Sequence, residues 1–175
     1  MGYLKQALLC TAWLLGGSFV YGLTLESSAF VDGGELPAMY AAADSETSPP
    51  VNWDGAPRRT KTYAIVADRL GSQGEAVVHW VIYNIPVRDS HIAEGAYVVF
   101  NGSTREAQTG LNSWAKAAWT GPDAAKGSGE LRIRLFALDR KLTFQTQPDA
   151  VALFEAMDGY VLDVAEIVAV SANES

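Results

Sequence analysis

The alternation and clustering of hydrophobic positions along this chain predict strands in preference to long helices. Two apolar runs, residues 61–68 and 77–85, are rich in β-branched and aromatic residues, which is typical of buried strands. Residues 131–138 alternate apolar side chains with Arg132 and Arg134, so they predict a strand with one solvated face. Further strands are predicted at 23–31, 97–101 and 160–170.

One late segment has the pattern of a short helix. Residues 148–157 begin with Pro148, which is favoured in a first turn, and we expect Val151 and Phe154 to face inward. Gly159 follows as a stop signal. Many strands with a single late helix predict a mainly β fold and argue against alternating strand–helix–strand units.

The first residues have the pattern of a secretory signal peptide. Lys5 is the only charge before Glu26, and Ala7–Val20 is apolar or small. An uncleaved membrane anchor is the alternative, although the stretch is shorter than the roughly 20 residues of a spanning helix. We therefore predict a signal peptide at 1–22 and a single domain at 23–175 that is periplasmic or secreted.

Charge and cysteine content exclude several functions. The chain has 13 basic and 20 acidic residues, a net charge of −7 that argues against binding to nucleic acid or to an anionic membrane surface. The only cysteine, Cys10, lies in the predicted leader, so the domain has no thiol and no disulfide. With only two histidines a zinc site is not expected, and no nucleophile motif is present. We predict no metal, no cofactor and no enzymatic activity.

Two ionisable side chains in the predicted strands are candidate functional residues. Asp68 ends the first apolar run, and His79 lies within the second. Because an unpaired ionisable group in a core is costly, we expect these side chains to meet and form a small polar pocket. The carboxylate would favour the imidazolium form, which donates to a phosphate or carboxylate ligand. The alternative is a buried pair that is purely structural.

A series of short motifs occurs in a fixed order between residues 23 and 170. They are Gly34-Glu35-Leu36-Pro37, Ser48-Pro49-Pro50-Val51-Asn52-Trp53, His79-Trp80-Val81, Asn84-Ile85-Pro86, Gly110-Leu111-Asn112, Gly121-Pro122 and Ala165-Glu166-Ile167. In this order they resemble the phosphatidylethanolamine-binding protein family, also called the Raf kinase inhibitor protein family, and most of all its bacterial YbhB/YbcL-like branch. The resemblance implies an antiparallel β-sandwich with one or two short helices and an anion pocket at one end.

The resemblance also implies which residues form the pocket. Asp68 matches the first acid of the family's Asp-Pro-Asp stretch, and His79 matches its pocket histidine. Gly110, Gly121 and Pro122 match the loop that walls the pocket, where glycine-rich backbone can offer N–H donors. The implied ligand is a small anion such as a phosphate or phosphoethanolamine group.

The chain departs from the family pattern at this pocket. Residues 69–72 replace the second acid and both prolines, and residues 127–132 lack the second histidine and the tyrosine. Arg69 either supplies a replacement positive charge or is a solvated loop residue. We expect an exported, non-enzymatic anion-binding protein. The alternatives are a module that inhibits a protease or kinase through its loops, and a scaffold whose pocket binds nothing.

Overall fold

A computed structural model of the chain describes residues 22–71, 73–96, 107–123 and 129–170. Within these ranges it has nine strands and two short helices. The strands are β1 (Thr24–Glu26), β2 (Gly34–Glu35), β3 (Val51–Asp54), β4 (Thr62–Leu70), β5 (Ala76–Pro86), β6 (His91–Ile92), β7 (Gln108–Thr109), β8 (Glu130–Leu138) and β9 (Val161–Val170), and the helices are α1 (Ala38–Ala41) and α2 (Ala150–Met157). The predicted strand at 97–101 and all but the last residue of the predicted leader lie outside the described residues.

The strands form two sheets that share one apolar core. The larger sheet has the order β2-β9-β8-β4-β5-β7, and the smaller has the order β1-β3-β6. Leu25, Trp53 and Ile92 from the smaller sheet belong to the same buried cluster as Ile65 and Ile133 from the larger one. The predicted β-sandwich with two short helices is therefore confirmed. Its pairings are antiparallel except for β2, which is parallel to β9.

A second apolar layer covers the opposite face of the larger sheet. Helix α2 packs there, with Leu153 in the same buried cluster as Val66 of β4. The helix begins at Ala150, two residues later than the sequence pattern predicts. Its buried residues are Ala150, Leu153 and Met157, and the prediction that Val151 faces inward was wrong, because this side chain is 65% exposed. The helix cap is Asp149, whose carboxylate accepts a hydrogen bond from the Ala152 amide at 2.9 Å. Each central strand is thus buried on both faces.

The first strand is shorter than the sequence predicts. Strand β1 ends at Glu26 because the next residue turns the chain. The Ser27 hydroxyl donates to the Pro50 carbonyl at 2.6 Å and accepts from the Ala29 amide at 3.1 Å. A serine that bonds nearby backbone in this way replaces the ladder hydrogen bonds of a strand.

Candidate functional site

An irregularity in the larger sheet places His79. Along the β4–β5 pair, Ala67 faces Trp80 and Asp68 faces Val78. His79 is therefore the extra residue of a β-bulge, and it has no cross-strand partner. A bulge breaks the alternation of a strand and re-aims one side chain, and bulges are common beside functional sites. The sequence showed a histidine in a strand but not this bulge.

The His79 ring is held by the segment that follows β7. The side chain is fully buried, and its Nδ1–H donates to the Thr120 carbonyl at 2.7 Å. The Trp114 ring lies beside it, with ring centroids 5.2 Å apart. Because Nδ1 carries the proton in this bond, Nε2 is an acceptor in the neutral ring. Nε2 is buried and has no hydrogen-bond partner.

Burial lowers the pKa of His79 to about 4, because an imidazolium inside the protein loses its hydration. The hydrogen bond to Thr120 opposes this effect, and the positive charge of Arg69 lowers the pKa further. The ring is therefore neutral at pH 7. The prediction that a neighbouring carboxylate holds it as imidazolium was wrong, since burial dominates and the charge that acts on the ring is the positive charge of Arg69.

Asp68 is bound to two arginines of β8 and not to His79. Its carboxylate accepts a hydrogen bond from Arg134, and Arg132 Nε lies 3.9 Å from its Oδ1. The side chain is 8% exposed and faces α2, on the same side of the sheet as Val66. The predicted Asp68–His79 pair is thus not formed. Alternation sends Asp68 to one face of β4, and two cross-strand cations neutralise it there.

Arg69 is the β4 residue that shares a side with His79. It follows Asp68 and so projects to the face of Ala67, toward the smaller sheet, where its charge acts on the His79 ring. Its Nε is buried without a hydrogen-bond partner. Among the residues that the structure describes, no carboxylate lies within 4.0 Å of its guanidinium nitrogens. The cation and the ring are therefore two incompletely satisfied groups at one end of the sheet.

The predicted loop residues serve packing. A Cβ on Gly110 would lie 2.6 Å from the Pro148 carbonyl oxygen, and a Cβ on Gly121 would lie 2.0 Å from that of Ala42. Both amides already donate to backbone carbonyls, Gly110 to Val81 and Gly121 to Ser45.

Pro122 is buried and has no N–H group. None of these three residues offers a free backbone donor, so the prediction that loop amides hold the anion is not supported at Gly110 or Gly121. A part in shaping the pocket stays a prediction for all three. Gly127, at the start of the divergent stretch 127–132, lies outside the described residues.

Sequence reasoning missed three residues that shape this end of the sheet, Thr120, Arg132 and Arg134. Only the arginines could be placed from the sequence, because their alternation along β8 puts both on one face. The sequence did not predict that β4 pairs with β8 beside them. Within the described ranges no three histidine, cysteine or acidic residues are grouped to hold a metal ion. No helix in the described part of the chain is long and apolar enough to cross a membrane.

Comparison with known proteins gives a consistent result. Residues 26–172 match the family model described as phosphatidylethanolamine-binding protein. A UPF0098 protein of Methanothermobacter thermautotrophicus is 31% identical over 149 residues, which cover 83% of this chain and 96% of that protein. A UPF0098 protein of Chlamydia pneumoniae is 27% identical over 151 residues, covering 83% and 95%.

Solved structures show the same fold. A phosphatidylethanolamine-binding protein homologue from Chlamydia trachomatis superimposes with a TM-score of 0.78 at 24% identity, covering 88% of this chain and 99% of that one. E. coli YbcL, described as a member of the mammalian PEBP family, gives a TM-score of 0.74 at 21% identity, covering 85% and 97%. At these identities the likeness concerns the fold alone.

Proposed function

Because the chain belongs to the phosphatidylethanolamine-binding protein family, we propose that it is a non-catalytic binding protein that holds a small anion beside Arg69 and His79. One observation carries this proposal. The Nε of Arg69 and the Nε2 of His79 are both buried at the same end of the sheet, and neither has a hydrogen-bond partner in the part of the chain that the structure describes. Buried polar atoms are rarely left unsatisfied, so an unexplained pair of them points to a ligand.

The two residues have different roles in this proposal. Arg69 is partly exposed, and its guanidinium presents several N–H donors in the planar arrangement that fits phosphate and carboxylate oxygens. His79 is fully buried and neutral, so at neutral pH it contributes no positive charge. A bound anion would offset the field of Arg69 and stabilise the imidazolium, which raises the pKa of His79. Binding then takes up a proton as the pH falls.

The test is a sulfate titration followed by the NMR signals of the His79 ring. Sulfate is a dianion that does not titrate in this range, so any pH dependence comes from the protein. We expect saturable shifts and an affinity at least fivefold higher at pH 5 than at pH 7. Arg69→Gln should weaken binding at least tenfold. His79→Gln should bind sulfate at pH 7, as measured by its backbone amide signals. Its affinity for sulfate should not rise at pH 5.

The matched control is Arg132→Gln, which removes the same charge from the opposite face of the sheet. It should bind sulfate within twofold of wild type. Equal weakening by Arg69→Gln and Arg132→Gln would reveal a general charge effect and refute the site. A titration with phosphoethanolamine in place of sulfate tests whether a headgroup that bears an amine binds more tightly than the bare anion.

Two exposed apolar side chains favour a second candidate function, binding to a protein. Leu70 is 60% exposed directly after Arg69, and Trp114 is 46% exposed while it contacts His79. An aromatic anchor beside a charged residue is a common centre of a protein interface. In this alternative the end of the sheet docks on a protease or kinase. Loss of inhibition in Trp114→Ser with unchanged sulfate binding would support it.

We propose that the chain is exported and that residues 1–22 are removed. The apolar stretch after Lys5 supports this proposal. The intact mass of the protein recovered from its host should correspond to a chain that begins at Leu23. A mass that includes residues 1–22 would contradict cleavage.

A further inference from the structure

A second concave surface lies at the opposite end of the larger sheet from Arg69. This cavity, of about 590 Å³, is bounded by the start of β4, the end of β5 and the loop after β8. Strand β4 runs from Thr62 here to Leu70 at the other end. At about 3.3 Å per residue, the two ends are roughly 25 Å apart. The cavity is therefore separate from the site proposed above.

The cavity is basic in an acidic protein. Lys61, Arg88, Arg140 and Lys141 line it together with one acidic residue, Asp139. These are four of the 13 basic and one of the 20 acidic residues, which leaves nine basic and 19 acidic residues elsewhere. The lining thus carries a net charge of +3, and the rest of the chain carries −10. A basic cleft on an acidic surface concentrates the field and attracts anions to that place alone.

Two of the cations have no counterion. Arg88 lies 3.6 Å from the Asp89 carboxylate, and Arg140 lies 4.0 Å from that of Asp139. Lys61 and Lys141 form no ion pair among the residues that the structure covers, and both are exposed. Exposed lysines are usually dispersed or paired, so their convergence on one concave surface favours a ligand with several negative charges.

The rim of the cavity is held in place by the sheet. The Thr62 hydroxyl donates to the Arg140 carbonyl at 2.7 Å. Asn84 bonds Leu142 in both directions, because its Nδ2 donates to the carbonyl at 2.9 Å and its Oδ1 accepts from the amide at 2.8 Å. The Arg140 guanidinium lies 3.3 Å from the centroid of the Tyr160 ring. These bonds fix the backbone that presents Arg140 and Lys141, which lowers the entropy lost on binding.

Asn84 is buried and lines the cavity. It lies at the second bulge of the β4–β5 pair with a φ of 56°, a left-handed conformation that asparagine adopts more readily than most other residues. The bulge therefore sets the direction of this wall of the cavity without backbone strain.

We infer that this cavity binds a compact soluble polyanion, with clustered phosphate or carboxylate groups contacted by Lys61, Arg140 and Lys141. Arginine offers a planar set of donors and lysine offers a mobile charge, a combination suited to such groups.

Tripolyphosphate and citrate are the probes, and the amide signals of Arg140 and Lys141 report binding by NMR. We expect saturable shifts at these amides. Stronger binding of tripolyphosphate identifies phosphate as the preferred group, and stronger binding of citrate identifies carboxylate. The double variant Lys61→Gln/Lys141→Gln should weaken the preferred probe at least tenfold and leave sulfate binding at His79 within twofold. Thermal unfolding should change little, because both lysines are exposed.

The matched control is Arg58→Gln/Arg59→Gln, which removes the same charge from exposed residues next to the cavity but outside its lining. It should weaken binding less than threefold. Shifts that do not saturate, or equal losses in the two double variants, would overturn the inference. Failure of sulfate to bind at His79 would refute the proposed function and leave this result unaffected.

Discussion

Lowering the pH from 7 to 4 is expected to remove about 3 kcal/mol from the free energy of unfolding through His79 alone. The folded protein holds this ring neutral, with a pKa of about 4 against an ordinary value of 6.5. Between these two values the unfolded chain binds a proton that the folded chain does not. The free energy of unfolding therefore falls as the pH falls from about 6.5 to about 4. Below pH 4 His79 causes no further loss of stability.

The measurement compares urea unfolding of wild type and His79→Gln at pH 7, 6, 5 and 4.5. The glutamine amide can still donate to the Thr120 carbonyl, but it does not titrate. Acidic residues contribute the same pH dependence to both proteins, so the difference isolates His79. That difference should change by about 1.4 kcal/mol per pH unit inside the window.

Parallel profiles for wild type and His79→Gln would mean that the pKa of the ring is the same in the folded and unfolded states. That outcome would contradict the conclusion that burial holds the ring neutral, because the imidazolium would then form near the ordinary pKa of 6.5.

The sequence predicted the layers of this fold because they depend on repeated patterns. Alternating apolar residues in 131–138 and two apolar runs became β8, β4 and β5, with boundaries within two residues. The short strands were harder. Strand β1 is ended by one serine hydroxyl, and β2 is a two-residue parallel pairing with β9. The sequence predicted β1 but extended it five residues too far, and β2 has no hydrophobic period long enough to be recognised.

The site was less predictable because it depends on which face of a strand each residue occupies. Asp68 and Arg69 are adjacent, so a shift of one residue decides which of them lies beside His79. The bulge at His79 changes that register, and no local sequence pattern predicts the bulge. The sequence therefore predicted that His79 pairs with Asp68, whereas in the structure Arg69 is the neighbour on its side of the sheet. The arginine took the place that the carboxylate had been expected to fill.

This assignment of faces makes a second strong prediction. Asp68→Asn should lower the free energy of unfolding by about 2 kcal/mol, because it leaves Arg134 and Arg132 beside a neutral amide. The loss is smaller than for a fully buried pair, since the Arg134 and Arg132 side chains are 26% and 36% exposed. Urea unfolding at pH 7 measures the change. Asparagine has the shape of aspartate, so packing is preserved.

Two comparisons decide whether the carboxylate acts through its arginines or through a ligand. Asp89→Asn removes a charge from the exposed pair with Arg88 and should cost less than about 1 kcal/mol. In Asp68→Asn/Arg134→Gln the two losses should not add, because each single change already breaks the same contact. Sulfate affinity should survive Asp68→Asn, since Asp68 and Arg69 face opposite sides of β4. If Asp68→Asn instead had wild-type stability and did not bind sulfate, Asp68 would be a ligand-binding residue and the assignment of Arg69 to the site would be wrong.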